Sequence, residues 1–446
     1  MHSIRVTVER GEPVSWPAVR LGDLCSVITK GTTPRTLGRE YAFSGVPFLR
    51  AENLNNGEIV LDRDTLFIDV STDELLARSR ISPGDVLISI AGTIGRTAIV
   101  PADSPRMNCN QAVAIVRISG PLEPRFLLHW LKTEDAQRQV SGMQVTATIS
   151  NLSLGQIKEL RLPLPALSEQ KRIVDILDKA SAILREREEA NVMTSRIMSV
   201  LFAEMFGDPS SNPRHWPVQE LGQLISIGPQ NGMYKPTTEY GSGTPIVRID
   251  SFYDGTLLPD HSLKRLQLSP TEVATYELKP NDILINRVNS PDFLGKSALI
   301  EGFDEPTVFE SNMMRLAVDN SVVSPVYIIH LLQTRAAKSF FLQRSKRAVN
   351  QASINQDDVR SLPVPIPPNN LQLEFARRSS GVAAITKQQR VATESIGDLF
   401  DVLLHRAFSG SLTAEWRRSR RQELLAEVEG QSRLLLGLAT NDTASA

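Results

Sequence analysis

The stretch LPLPALSEQKRIVDIL (162–177) decides the fold. Pro163 and Pro165 favour an extended approach, because proline locks its own φ and disfavours helix in the residue before it. Ser168, followed by Glu169 and Gln170, then gives a helix start. From 169 to 206 there is no proline or glycine. Ile173, Leu177, Ala180, Leu184, Asn191, Met198, Leu201 and Met205 fall near a heptad seam. The chain repeats this pattern in LPVPIPPNNLQLEF (362–375), before a second run to Phe408. The second seam holds Phe375, Val382, Ile385, Ile396, Leu399 and Leu403. Gly381 and Gly397 weaken this run by about 1 kcal/mol each relative to alanine. Each run makes a helix about 60 Å long at 1.5 Å per residue. The polar middle REREEAN (185–191) leaves too narrow an apolar stripe for a globular core. Two such helices lying against each other would bury it; the alternative is that each packs on its own domain.

The echo extends through the whole chain. Trp16-Pro17 and Leu21-Gly22 return as Trp216-Pro217 and Leu221-Gly222. VPFLRAEN (46–53) matches TPIVRIDS (244–251), and PGDVLIS (83–89) matches PNDILIN (280–286). Gly57 matches Gly255, Gly95-Arg96-Thr97-Ala98 matches Gly295-Lys296-Ser297-Ala298, and His129 falls opposite His330. The spacing of roughly 200 residues is far longer than any solenoid repeat, so the chain is a duplicated pair of units. Each unit reads as mixed helix and strand. VLISIAG (86–92), TAIV (97–100) and AVAIVRI (112–118) are β-branched strands bounded by turns. RFLLHWLKTEDAQRQV (125–140) and VYIIHLLQTRAAKSFFLQR (326–344) read as helices. The expected fold is α+β: two tandem α/β domains separated by two long helices forming an antiparallel coiled coil with pseudo-two-fold symmetry. The segments are 1–165, helix 166–208, 209–367, helix 368–409, and a tail 410–446 forming a short helix that closes the ends together.

The 446 residues carry 49 basic and 50 acidic side chains, a net charge of −1, which excludes coating nucleic acid by charge alone. A local basic surface remains open. Residues 320–356 hold no acid but include Arg335, Lys338, Arg344, Lys346 and Arg347, read either as a solvated face or as a phosphate-contacting surface. Cys25 and Cys109 stand alone, without CxxC, and the six histidines show no ligand spacing, which argues against a disulfide framework or a metal site. No run of 18 apolar residues and no signal-peptide core occurs, so a cytoplasmic protein without a membrane span is expected.

Two diverged copies held by paired helices suit a reader of an asymmetric, split DNA sequence, as two subunits suit a palindrome. Three stretches carry a family resemblance: LPLPALSEQKRIVDILD (162–178), SVLFAEMFGDP (199–209) and HRAFSGSLTAEWR (405–417). In them, and in its duplicated order, the chain resembles the specificity (S) subunits of type I restriction-modification systems. The resemblance implies that each large unit is a target recognition domain reading one half of a bipartite DNA target. It implies that the helices dock two methyltransferase subunits, with restriction subunits added for cleavage. The chain then does no chemistry and binds no cofactor; S-adenosylmethionine, ATP and Mg²⁺ belong to the partners. The second approach departs from the hallmark, with NNLQLEF where the first has SEQKRIV. Ile173, Leu177, Leu184, Met198 and Leu201, with Phe375, Val382, Ile385, Leu399 and Leu403, are the expected docking positions.

No methyltransferase tetrad is present, and Gly295-Lys296-Ser297 lacks the first glycine of a P-loop, with Ser290 in its place. Asp85 and Asp282 are single and read as turn caps, not nuclease acids. Rival readings are a stand-alone DNA-binding module and a coiled-coil scaffold without a methyltransferase. Base edges are read by Arg, Lys, Asn and Gln, so candidates lie where the copies differ. KGTTPR (30–35) offers Lys30, Thr32, Thr33 and Arg35; GPQNGMYKP (228–236) offers Gln230, Asn231, Tyr234 and Lys235. Both stretches equally suit surface turns. Arg50 with Arg248, and Arg96 with Lys296, are matched cations suited to phosphates or to structural ion pairs. Gln144, Thr146 and Thr148, with Lys346, Arg347, Asn350 and Gln351 in the matching place, are the expected groove-facing segment.

Overall fold

The stretches 16–20 and 161–166 are tied together, which explains why the sequence repeats both. In a computed structural model, which describes residues 16–142, 151–253, 255–257, 262–348 and 350–442, strand Ala18–Arg20 pairs antiparallel with Arg161–Pro163. Leu21 N donates to Leu160 O at 2.8 Å and Leu164 N to Pro17 O at 2.9 Å. The second copy does the same with Val218–Glu220 and Pro363–Pro365, closed by Leu221 N to Leu362 O and Ile366 N to Pro217 O, both 2.8 Å. The prolines sit on a two-stranded ribbon, where a missing N–H costs no ladder bond.

The chain divides into two compact units, one of residues 1–185 with 394–446 and the other of 186–393. In the first, strands Cys25–Lys30, Val113–Ile118, Val86–Ser89 and Thr97–Ile99 lie in that order in an antiparallel sheet. A second sheet orders Leu66–Ile68, Val46–Leu49, Met107–Cys109 and Arg80–Ile81, with one parallel pair at its centre. In the other unit the antiparallel sheet is Ile225–Asn231, Met313–Val318, Ile283–Asn286 and Ser297–Leu299. Its neighbour has three strands, Lys264–Leu266, Tyr240–Val247 and Val308–Phe309, the last two parallel.

Val86–Ser89 and Ile283–Asn286 are buried at every position, so they read as apolar runs without alternation. Asp85 and Asp282 cap the turns that start them, accepting from Ser82 N and Lys279 N at 2.7 Å each. They also hold cations of the adjacent strand, Arg117 at 2.7 Å and Arg315 at 3.8 Å.

The helices expected over 125–140 and 326–344 are each broken in two: Pro124–Trp130 with Glu134–Gly142, and Pro325–Leu332 with Arg335–Arg344. Thr133 and Thr334 cause the breaks. Each hydroxyl donates to the preceding helix, to Trp130 O and Leu331 O at 2.7 Å. Each also accepts the N–H of Ala136 or Ala337, capping a new helix.

The long helices span Leu167–Phe206 and Asn369–Phe408, 40 residues each. Within the second unit they run antiparallel: Asn191 Nδ2 donates to Thr393 Oγ1 at 3.0 Å, while Phe202 and Phe206 stack around Phe375 at 5.7 and 5.1 Å. In the first unit Ile173, Val174 and Leu177 share a core with Leu404 and Ala407.

The tail forms Ala414–Ser419 and a 22-residue helix, Arg421–Asp442, longer than the short helix the sequence suggests. It caps the start of the first long helix. Glu427 accepts from Ser168 N and Oγ at 2.8 and 2.5 Å, and Gln431 from Leu167 N at 3.0 Å. These satisfy N–H groups that a helix N-terminus leaves open. Glu169, buried, accepts from Thr413 Oγ1 at 2.6 Å and Arg417 Nε at 2.8 Å.

Candidate nucleic-acid interface

The candidate residues of the first domain occupy different environments. Lys30 ends its strand exposed. Thr32 N donates to Cys109 O at 3.2 Å, and Thr33 Oγ1 donates to Gln111 Oε1. Arg35 is paired with Glu40 at 3.2 Å, both largely in solvent, so the pair is weak and its guanidinium is exchangeable. Arg50 is engaged locally, with Glu52 at 2.8 Å and Asp64 O at 3.2 Å. Arg96 is exposed on the wall of a cleft of about 600 Å³, which Asn55, Asn56, Glu52 and Lys132 also line. Gln144, Thr146 and Thr148 lie outside the described residues.

In the second domain the side chain of Gln230 is used internally. Its carbonyl accepts from Arg315 and its amide donates to Thr275 O at 3.1 Å. Asn231 and Tyr234 are exposed. Lys235 is clasped by Glu239 and Glu272, at 3.1 and 2.9 Å. That pairing, after the Ser269 backbone, holds the Glu272 carboxyl down at about 2. Arg248 faces Glu310 at 3.3 Å and lies over the Tyr240 ring. Of the two readings of Lys296, a phosphate contact or a structural pairing, its geometry matches a structural tie, though to carbonyls and not to an acid: its ammonium donates to Ile249 O and Phe252 O at 2.6 and 2.8 Å. It also sits over the Phe252 and Phe293 rings. The matched pair thus differ in environment: Lys296 is tied to backbone carbonyls, while Arg96 is exposed.

Lys346 and Arg347 lie on an exposed strand, Lys346–Ala348, that pairs with Gln351–Ser353. Asn350, at φ 61°, turns the chain between them, and Gln351 projects to solvent. This hairpin brings four of the expected residues together on one exposed turn. Phe43, Arg39, Asn55, Asn56 and Lys132 are exposed as well; the sequence did not single them out, because neither period nor spacing separates an exposed loop residue from a buried one.

The helix positions also divide. Ile173, Leu177 and Phe375 are fully buried in their own cores and present no surface. Leu184, Met198, Leu201, Val382 and Leu403 are half-buried. Ile385 and Leu399 are 53% and 57% exposed, which removes them from the expected seam. Ile183 and Val402 in the first unit, and Met193, Ile197, Val200 and Val391 in the second, are exposed as well.

Among the described residues no group of three or more His, Cys, Asp or Glu could hold a metal ion, and no helix is long and apolar enough to cross a membrane. A family model described as the type I restriction modification DNA specificity domain matches residues 13–193 and again 213–391. The chain is 24% identical over 434 residues to the type I restriction enzyme StySPI specificity subunit of Salmonella potsdam, covering 92% of each. It is 26% identical over 395 residues to the EcoKI specificity subunit of Escherichia coli (strain K12), covering 83% of each. Among solved structures, the S subunit of a type I restriction-modification system from M. genitalium shares the fold. The TM-score is 0.51 at 14% identity, over 90% of this chain and 98% of that one. A structure from work on assembly and conformational transition of the type I R-M system aligns with TM-score 0.52 at 20% identity, over 90% and 99%. With two matches that together span most of the sequence, on two domains built alike, the chain belongs to the type I restriction-modification DNA specificity family, a family of non-catalytic recognition subunits.

Proposed function

We propose that each domain reads one half of a bipartite, asymmetric DNA target, and that the long helices dock two methyltransferase subunits, to which restriction subunits add for cleavage. The observation that carries this is the duplication itself: one specificity domain occurs twice, each copy followed by a 40-residue helix. The copies share the four-stranded antiparallel sheet and differ in their loops and in the second sheet, four strands against three, which supports two different half-targets. In the first domain the surfaces facing DNA are the stretch from Lys30 to Arg35 and the cleft at Arg96; in the second they are Asn231, Tyr234 and the hairpin of Lys346, Arg347, Asn350 and Gln351. The exposed apolar side chains of the long helices, Ile385 and Leu399 among them, are the docking positions. S-adenosylmethionine, ATP and Mg²⁺ act in the partners.

The experiment is a genome-wide map of N6-methyladenine with and without this gene. Loss of methylation at one split motif is the expected result. An unchanged map, while a neighbouring methyltransferase is expressed, overturns the reading in favour of a DNA binder or scaffold acting without one.

A further inference from the structure

Both domains carry a connection between their two sheets, and in both it is pinned in the same way. It runs from Gly31 to Gly45 in the first domain; in the second it runs from Gly232 into the strand Tyr240–Val247, which holds Gly243. A Cβ at Gly31 would overlap the carbonyl oxygens of Cys109 and Asn110, and one at Gly232 those of Glu310 and Phe309. Gly45 and Gly243, at φ 136° and 109°, are met likewise by the carbonyls of Ile68 and Leu266. Only glycine admits this approach of backbone to backbone. Each connection also has an isolated bridge, antiparallel and near the last glycine in the first domain, parallel and next to the first glycine in the second. Ala42 pairs with Phe67, its N–H 2.8 Å from Phe67 O. Met233 pairs with Glu310, its N–H 3.0 Å from Phe309 O and its carbonyl accepting from Ser311 N at 2.8 Å.

In each copy the residue after the bridge is aromatic and points into solvent. Phe43 is 101% exposed and Tyr234 79%, the two highest values among the exposed large hydrophobics of the described residues. A single exposed ring is ordinary. Two rings, each next to a pinned bridge on the same connection of two diverged copies, are not accounted for by the fold, since neither contributes to its core. A lone ring is also far smaller than the roughly 800 Å² per partner of a stable protein interface. The first connection adds charge: Lys30, Arg35 and Arg39 stand against Glu40 alone. Cations that hold phosphates beside a rigid ring are what a duplex-deforming wedge requires. A Phe or Tyr ring has two χ angles, so ordering it on binding costs little entropy.

We propose that Phe43 and Tyr234 are wedges, each inserting at a base step within or beside the half-target read by its own domain and unstacking it. This rests on the DNA-specificity reading above. The test uses the full chain assembled with its methyltransferase, on duplexes carrying the methylated motif with 2-aminopurine scanned through both halves and their flanks. The unaltered complex should raise fluorescence at one step in each half. Phe43→Ala should abolish the rise in one half, keep it in the other, and weaken binding roughly 10-fold; Phe43→Trp should restore both. Tyr234→Ala should give the mirror result. Because both rings are solvent-exposed, melting temperature should not change. A rise that survives Phe43→Ala and Tyr234→Ala, with affinity intact, overturns the wedge. A complex that methylates no split motif at all would instead overturn the DNA-specificity reading.

Discussion

His129 Nε2 lies 2.8 Å from Asp178 Oδ1, joining a helix of the first recognition domain to the first long helix. Arg125 reaches the other carboxylate oxygen at 2.5 Å. Burial works to raise the Asp178 carboxyl, but hydrogen bonds from His129 and Arg125, with their charge, outweigh it and leave it below the usual aspartate range. A carboxylate lowered in the folded state adds stability above its unfolded pKa of about 4, and this is lost as pH falls through the folded value. Asp178→Asn should therefore cost roughly 2 kcal/mol at pH 7, the order of a hydrogen bond to a charged group. Urea midpoints should show the gap to the unaltered protein closing as pH is taken below about 4.

The matched histidine behaves differently. His330 Nε2 faces the Ser379 hydroxyl at 3.2 Å, and its ring meets Phe375 edge to face at 5.2 Å. Burial pushes the imidazole down to about 4, with Gln333 pulling weakly the other way. The folded protein thus keeps His330 neutral where the unfolded chain takes up a proton. Stability from this group is complete above about 6.5 and falls as pH drops toward 4. A urea midpoint series from pH 7 to 5 should slope downward, and His330→Gln should flatten it. A slope unchanged by the substitution would assign the titration elsewhere.

Glu169 is buried with Arg417 and Thr413 as its partners. Arg417→Ala leaves that carboxylate without its counter-charge, with only Thr413 donating to it, and should cost about 3 kcal/mol. Adding Glu169→Met should recover much of the loss, since an apolar pair needs no compensating charge. Thermal melts of the two single variants and the double variant measure the coupling; additive losses would mean that the pair is not an energetic unit.

On the long helices, burial separates two kinds of apolar residue that look alike in sequence. Phe375→Ala, which opens the cluster of Phe202, Phe206 and Tyr327, should cost roughly 4 kcal/mol. Ile385→Ser and Leu399→Ser should change stability by less than about 0.5 kcal/mol. They should nonetheless weaken co-purification of the methyltransferase. Full retention of that partner by the double serine variant would move docking off this face.

Much of the fold was legible because local chemistry wrote it. A proline-led entry before each long run marked the two long helices, although the second run carries Gly381 and Gly397, and turns marked the buried strands. The departure NNLQLEF keeps one residue of SEQKRIV, and the structure shows why. Gln170 donates to Pro165 O and accepts from Glu123 N, while Gln372 donates to Pro367 O and accepts from Ser324 N. That amide anchors each helix start to its domain. What stayed hidden depended on distant partners. Nothing near Lys296 in sequence announces the carbonyls of Ile249 and Phe252, and a heptad pattern does not say which side of a helix stays uncovered.

The ribbon of Ala18–Arg20 with Arg161–Pro163 has an evolutionary consequence. A domain whose first and last strands are hydrogen-bonded to each other is entered and left by the chain at one place. What lies between those strands can be exchanged as a cassette, provided the newcomer rebuilds the ribbon and the contacts to the long helix, such as that of His129 with Asp178. Val218–Glu220 and Pro363–Pro365 frame the second domain in the same way. Two crossovers, one at each strand of a ribbon, would therefore replace a whole domain and leave the sequence of the long helices as it is.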